Sequence, residues 1–138
     1  MRTFYIFKIN KEMTILTKDI PYNLYRTIEQ IYYMEESSIN VSYKLFSDLF
    51  TKLDKEYIDN YLYKLFSNNR YYTYKDGIHI YNNKYLKENS RLKVFNSHIV
   101  LKSNYIKPSL LINYLHTDNL FVVDFKYKDY FWLNELVR

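Results

Sequence analysis

The chain has 138 residues, no cysteine, one glycine, two prolines, eighteen tyrosines and a formal net charge of +5. That length suits a single domain over 1–138, with a core large enough to fold without disulfides or a structural metal. The missing cysteines exclude disulfide frameworks, thiolate nucleophiles and cysteine-based zinc sites together.

At 48% hydrophobic residues the chain belongs with globular proteins rather than disordered ones. Basic residues are scattered with acids between them, which reads as a solvated, mildly basic surface rather than a nucleic-acid tract. Lys8 and Lys11 interrupt the first apolar run well short of a signal peptide. No stretch reaches the roughly 20 apolar residues that span a bilayer. The expectation is a cytoplasmic protein without membrane association. An excess of Tyr, Asn, Lys and Ile over Ala, Gly and Arg is a pattern that AT-rich genomes produce, so part of the tyrosine count is expected to carry no function. The rest matters, because tyrosine is also a favoured interface residue.

In chain order, Thr3 to Ile9 is aromatic and β-branched and predicts a strand buried on at least one face. Asn10 to Lys18 is ambiguous, with room for a short helical turn. Asp19 with Pro21 is a helix-start signal, and Leu24, Ile28 and Ile31 then line one face of a helix to about Met34. A second helix is predicted from Ser42, with Leu45, Phe46, Leu49, Phe50 and Leu53 as its buried stripe. A third starts at the cap residue Asp54 and buries Ile58, Leu62, Leu65 and Phe66. Asp76-Gly77, flanked by Tyr72–Lys75 and Ile78–Tyr81, predicts a two-residue hairpin turn. A second hairpin is expected over Arg91–Phe95 and His98–Lys102, turning at Asn96-Ser97. Pro108 opens a short helix through Leu115. Strands over Leu120–Phe125 and Tyr130–Leu133 close the chain around the loop Lys126–Asp129. The order implies an α/β or α+β single domain with helices packed on a largely antiparallel sheet.

Chemistry-bearing patterns are scarce. A single glycine excludes both the dinucleotide fingerprint and the phosphate loop, which need several. No serine sits in a nucleophile elbow. His79, His98 and His116 fall on different elements and read as surface or sheet-face residues rather than metal ligands. Glu35-Glu36 and the pair Asp118 and Asp124 read as solvated acids rather than a glycosidase-type dyad. The expectation is a protein without catalytic, metal or cofactor sites. One alternative is a winged helix-turn-helix, with helices over 42–67 and a wing over 71–82. Against it, Asp54, Glu56 and Asp59 would place negative charge toward DNA phosphates. Direct DNA binding is therefore not expected.

The stretch Val122-Val123-Asp124-Phe125, a polar loop with Lys126 and Tyr127, and Trp132-Leu133-Asn134 resembles the closing segment of the SirA family. The first strand running into Lys11-Glu12, and Glu29-Gln30-Ile31-Tyr32-Tyr33, are also similar to that family. The chain departs from the pattern in extra residues around the Tyr72–Tyr81 hairpin and in Glu135, where the family has proline. The resemblance implies an inhibitor of DNA replication initiation that binds the N-terminal domain of the initiator DnaA when endospore-forming bacteria commit to sporulation. The family's contact pair of Gln and Tyr one turn apart matches Gln30 and Tyr33. Its earlier aromatic contacts fall at Met13 and Thr17, both departures. Helical spacing adds Tyr22, Arg26 and Glu29, which share the face of Gln30 and Tyr33 opposite Leu24, Ile28 and Ile31. Tyrosine and arginine are enriched among interface hot spots, so this face is the expected partner-binding site.

Overall fold

The first strand alternates two apolar sets, and each packs into a core. Phe4 and Ile6 point to one side of β1 (Arg2–Lys8), Tyr5 and Phe7 to the other. A strand apolar on both faces belongs in the middle of a covered sheet. The computed structural model, which describes residues 1–33, 39–105, 108–112 and 119–137, places it there.

After β1 come α1 (Lys11–Thr17), α2 (Pro21–Tyr32), α3 (Ile39–Leu49) and α4 (Lys55–Phe66). The strands β2 (Tyr72–Lys75), β3 (Ile78–Asn83), β4 (Glu88–Val94) and β5 (Ile99–Ser103) follow. The chain ends with α5 (Ser109–Ile112), β6 (Leu120–Asp124), β7 (Asp129–Trp132) and a 3-10 turn over Leu133–Val137. The strands form one sheet in the order β2-β3-β4-β5-β1-β6-β7, with every pairing antiparallel. This is the expected α+β architecture.

The two faces of the sheet are covered differently. On one, Phe4, Ile6, Leu92, Leu101 and Val122 pack with Ile58, Leu62 and Phe66 of α4 and Leu110 of α5. On the other, Phe7, Phe121, Val123 and Trp132 pack with Leu24, Tyr25 and Ile28 of α2 and Leu49 of α3. The strand residues of this second core all come from β1, β6 and β7. The same face of β2–β5 is left without a helical cover among the described residues.

Several expectations are corrected. Pro21 does open α2, but the cap position is Ile20 without a side-chain hydrogen bond, so Asp19 does not cap the helix. Met34 lies outside the described residues. The next helix begins at Ile39 rather than Ser42, and Leu45 is exposed. Phe50 and Leu53 are buried beyond the helix end, where Phe50 bridges to Ile9 and Leu53 N donates to Asn96 O at 2.7 Å. In α4 the buried set is Ile58, Asp59, Leu62 and Phe66, while Leu65 is 46% exposed. At ~100° per residue these four span one arc and Leu65 lies at its edge. The cap is as read: Asp54 Oδ1 accepts from Tyr57 N at 3.1 Å.

Asp76 and Gly77 have φ of 52° and 76°, the paired positive angles of a tight hairpin turn. The second hairpin turns at Asn96-Ser97, closed by Phe95 N donating to His98 O at 2.8 Å. Its first strand starts at Glu88, because β4 also pairs with β3 from Ile78↔Lys93 to Asn83↔Glu88. That pairing makes the Tyr72–Tyr81 hairpin the edge of the sheet. The short helix after Pro108 is present as Ser109–Ile112; its expected continuation to Leu115 lies outside the described residues.

Candidate protein-binding face

The helix α1 begins at Asn10, whose Oδ1 accepts from Met13 N at 2.8 Å. Its buried side is made of threonines. Thr14 Oγ1 donates to Asn10 O at 2.9 Å and Thr17 Oγ1 to Met13 O at 2.6 Å. With their hydroxyls returned to the helix backbone, both can face a core as small, nearly apolar groups. The consequence falls on the other side of the helix: Ile15 and Leu16 are 72% and 68% exposed. Ile20, just before α2, is exposed as well.

On α2 the division follows the helical period. Leu24, Tyr25 and Ile28 are buried, Ile31 is half-buried against the second core, and Tyr22, Arg26, Gln30 and Tyr33 are exposed. These four stand at i, i+4, i+8 and i+11, one stripe along the helix. Glu29, on the same side by spacing, is largely engaged. It accepts from Tyr25 Oη at 2.7 Å and from Arg26 Nη1 at 2.9 Å. Burial, with the Glu29 carboxylate beside it, raises the Tyr25 phenol well above its ordinary value.

Behind the stripe lies a layer of rings. Tyr32 stacks on Phe125 with centroids 4.0 Å apart, and Tyr33 meets the same ring edge-on at 6.2 Å. Tyr25 stacks on Tyr130 at 4.9 Å. Tyr5 of β1 joins Tyr32 and Phe125. Its hydrogen bond with Tyr32, then burial, pushes the Tyr5 hydroxyl up to about 12. The first strand, Glu29–Tyr33 and the Asp124–Asn134 segment, distant in sequence, thus meet in space.

Of the six residues expected in a partner site, Gln30, Tyr33, Arg26 and Tyr22 are on this exposed stripe. The other two are not equivalent. Met13 is half-buried against the second core, and Thr17 is buried with its hydroxyl committed to the backbone. The exposed apolar residues of α1 are Ile15 and Leu16, which sequence reasoning passed over. The available signal was that Thr14 and Thr17, not the aliphatic pair, complete an inward face with Met13.

Two acids read as solvated or unremarkable are structural. Asp124 is buried, receives Arg2 Nε at 2.9 Å, and accepts from Lys126 N and Tyr127 N at 3.1 and 3.2 Å. It ties the N-terminal strand to the loop that follows β6. Asp59 is buried in α4 beside His79, which is on a sheet face but wholly inaccessible. His79 Nε2 lies 2.8 Å from Asp59 Oδ1 and Nδ1 lies 2.6 Å from Tyr72 Oη, while Lys55 Nζ reaches Asp59 Oδ2 at 2.6 Å. Burial lowers the His79 imidazole despite the opposing effect of Asp59. The neutral ring then donates to Asp59 from Nε2 and accepts the Tyr72 hydroxyl at Nδ1. Such a chain satisfies every buried polar atom in it and pins α4 to the edge hairpin. His98 is half-buried, with Nδ1 2.7 Å from Ser97 Oγ; His116, Glu35, Glu36 and Asp118 lie outside the described residues. Among the described residues, no group of three or more acidic or imidazole side chains is placed to hold a metal ion. Among them, too, no helix is long and apolar enough to cross a membrane.

Comparison with protein-family models and with curated proteins gives no match to this chain in either case.

Proposed function

We propose that this chain is a non-catalytic inhibitor of replication initiation that docks through its α1–α2 face on the N-terminal domain of DnaA. The observation that carries the reading is the exposed stripe Tyr22, Arg26, Gln30 and Tyr33 on α2, two of whose members match the family's contact pair. Exposed Ile15 and Leu16 on α1, a helix in contact with α2, add the apolar content that a stable protein interface needs. Tyr33 and Tyr32 rest on Phe125, so the α2 end of the face is held in place before binding and loses little side-chain entropy there. A cytoplasmic site of action, and a role in sporulation, follow from that partner.

The test is calorimetric titration of the purified chain against the DnaA N-terminal domain. Duplex DNA over a salt series serves as the control. Tyr33→Ala is expected to weaken binding by about 2 kcal/mol, roughly thirtyfold, since a hot-spot tyrosine loses its whole buried contact. Gln30→Ala weakens it too, by leaving a polar group of the partner unpaired. Lys87→Ala, far from α2 in sequence, changes nothing. Wild-type affinity from a well-folded Tyr33→Ala variant would remove the site from this face. Tight, steeply salt-dependent duplex binding without DnaA binding would replace the function altogether.

A further inference from the structure

The half of the sheet that α2 and α3 leave uncovered is not a neutral surface. Cross-strand register sets its rows. One row runs Val100, Lys93, Ile78, Lys75 across β5, β4, β3 and β2, and the next runs Lys102, Arg91, Ile80, Thr73. Ile78, Ile80 and Val100 are half-buried, and Lys75, Arg91, Lys93 and Lys102 are exposed. The only carboxylate within these four strands is Glu88, which is buried and bonded to Ser90 and Ser109. None of the four cations forms an ion pair among the described residues.

Solvation of an open sheet face needs charge, but of either sign. Here all of it is positive, and Arg91 stands directly opposite Lys102. Like charges in that position oppose strand pairing. An anion bound across the face relieves that repulsion. The surface also asks for more than charge. Phe95, 38% exposed, follows Lys93 on the same side of the hairpin, with the Lys93 ammonium 5.1 Å from its ring and His98 stacked behind it at 5.2 Å. Arg91, Lys93, Phe95, Val100 and Lys102 line a shallow depression together with Ile78. A ligand fitting it carries repeated negative charge and flat apolar groups side by side.

We propose that this open face binds single-stranded nucleic acid, with Lys75, Arg91, Lys93 and Lys102 tracking the phosphates and Phe95 stacking on a base. Single strands are favoured over duplex because only unpaired bases offer their faces to a ring. They are favoured over an acidic peptide because carboxylate side chains make no use of the exposed Phe95 ring. The site is independent of the α1–α2 face and does not rest on the DnaA reading.

The test is a fluorescence-anisotropy titration of the full chain with labelled oligo-dT and oligo-U. A duplex of equal length and polyglutamate serve as competitors. Binding to the single strands is expected, with log affinity falling against log salt at a slope of about −2 to −3, as three or four phosphate contacts give at ~0.7 each. The double variant Arg91→Ala/Lys102→Ala loses at least about tenfold and flattens that slope. Phe95→Ala loses about fivefold or more at an unchanged slope. Tyr33→Ala is silent. Thermal melting checks that each variant is folded. No single-strand binding at low salt, or binding that the double variant leaves intact, overturns the proposal. Equal competition by polyglutamate would assign the face to an acidic protein segment instead, and preference for duplex would exclude base stacking.

Discussion

His79 and Asp59 occupy positions that the apolar pattern of β3 and α4 reserves for core side chains, and each is acceptable there only because the other is present. Removing one would leave the other buried without its partner. The same burial gives the imidazoles a defined effect on stability. Burial pushes both the His79 and the His98 imidazole below the ordinary histidine range. A histidine lowered on folding binds fewer protons in the native state than in the unfolded one. Its contribution is therefore complete above the unfolded value, and is lost as pH falls below about 6.5 toward the folded value. Urea midpoints are expected to hold level from pH 8 to 7 and then fall between pH 6.5 and 5. The slope is at most about 1.4 kcal/mol per pH unit for each histidine. His98→Gln, at a half-buried position, should remove part of that slope and keep the fold. A midpoint independent of pH across this window would show that neither ring resists protonation.

Among the elements, legibility tracks how local the determining interaction is. The Asp76-Gly77 turn was readable because two adjacent residues satisfy it. Both have positive φ, and a Cβ added at Gly77 would meet nothing within 4 Å. The cost of a side chain there is thus conformational alone. Gly77→Val is expected to destabilise by roughly 1–3 kcal/mol, and Gly77→Asn by much less, because asparagine tolerates the left-handed region. Equal melting temperatures for the two variants would contradict this account. The β3–β4 turn went unseen for the opposite reason. It has no glycine, uses Lys87 at φ 56°, and is organised by Asn83 Oδ1 accepting from Tyr85 N and Leu86 N. Asparagine side chains build such turns without a sequence signature as sharp as Asp-Gly. On α2, periodicity alone placed Tyr22, Arg26, Gln30 and Tyr33 outward. On α1 it failed, because seven residues are too few to establish a face and because Thr14 and Thr17 hide their hydroxyls against their own helix. The buried roles of Asp59 and Asp124 depend on His79 and Arg2, tertiary partners that no local pattern announces.

At the scale of the whole molecule, the sheet divides into two halves with different surroundings. The β1-β6-β7 half is covered on both faces, and α2, packed on it, presents the tyrosine stripe. Among the described residues the β2–β5 half is covered on one face only, and its open face carries cations without ion-pair partners there, on a chain whose net charge is already +5. Charge of one sign in excess opposes the compact state through self-repulsion. That repulsion is concentrated where Arg91 faces Lys102, within one strand spacing of about 4.8 Å. Salt with a Debye length of ~30 Å at 0.01 M leaves it acting, whereas ~3 Å at 1 M removes it. Stability measured by urea midpoint should therefore rise with sodium chloride between these limits, before any ligand is added. The variant Arg91→Gln/Lys102→Gln should start higher at low salt, by a few tenths of a kcal/mol, and gain less as salt is added. Variants at Lys11 and Lys18, on the α1 side of the molecule, should keep the wild-type salt response. If the midpoints of wild type and the Arg91/Lys102 double variant run parallel across the whole series, the cations do not repel one another in the folded chain. The open face would then be an ordinary solvated surface.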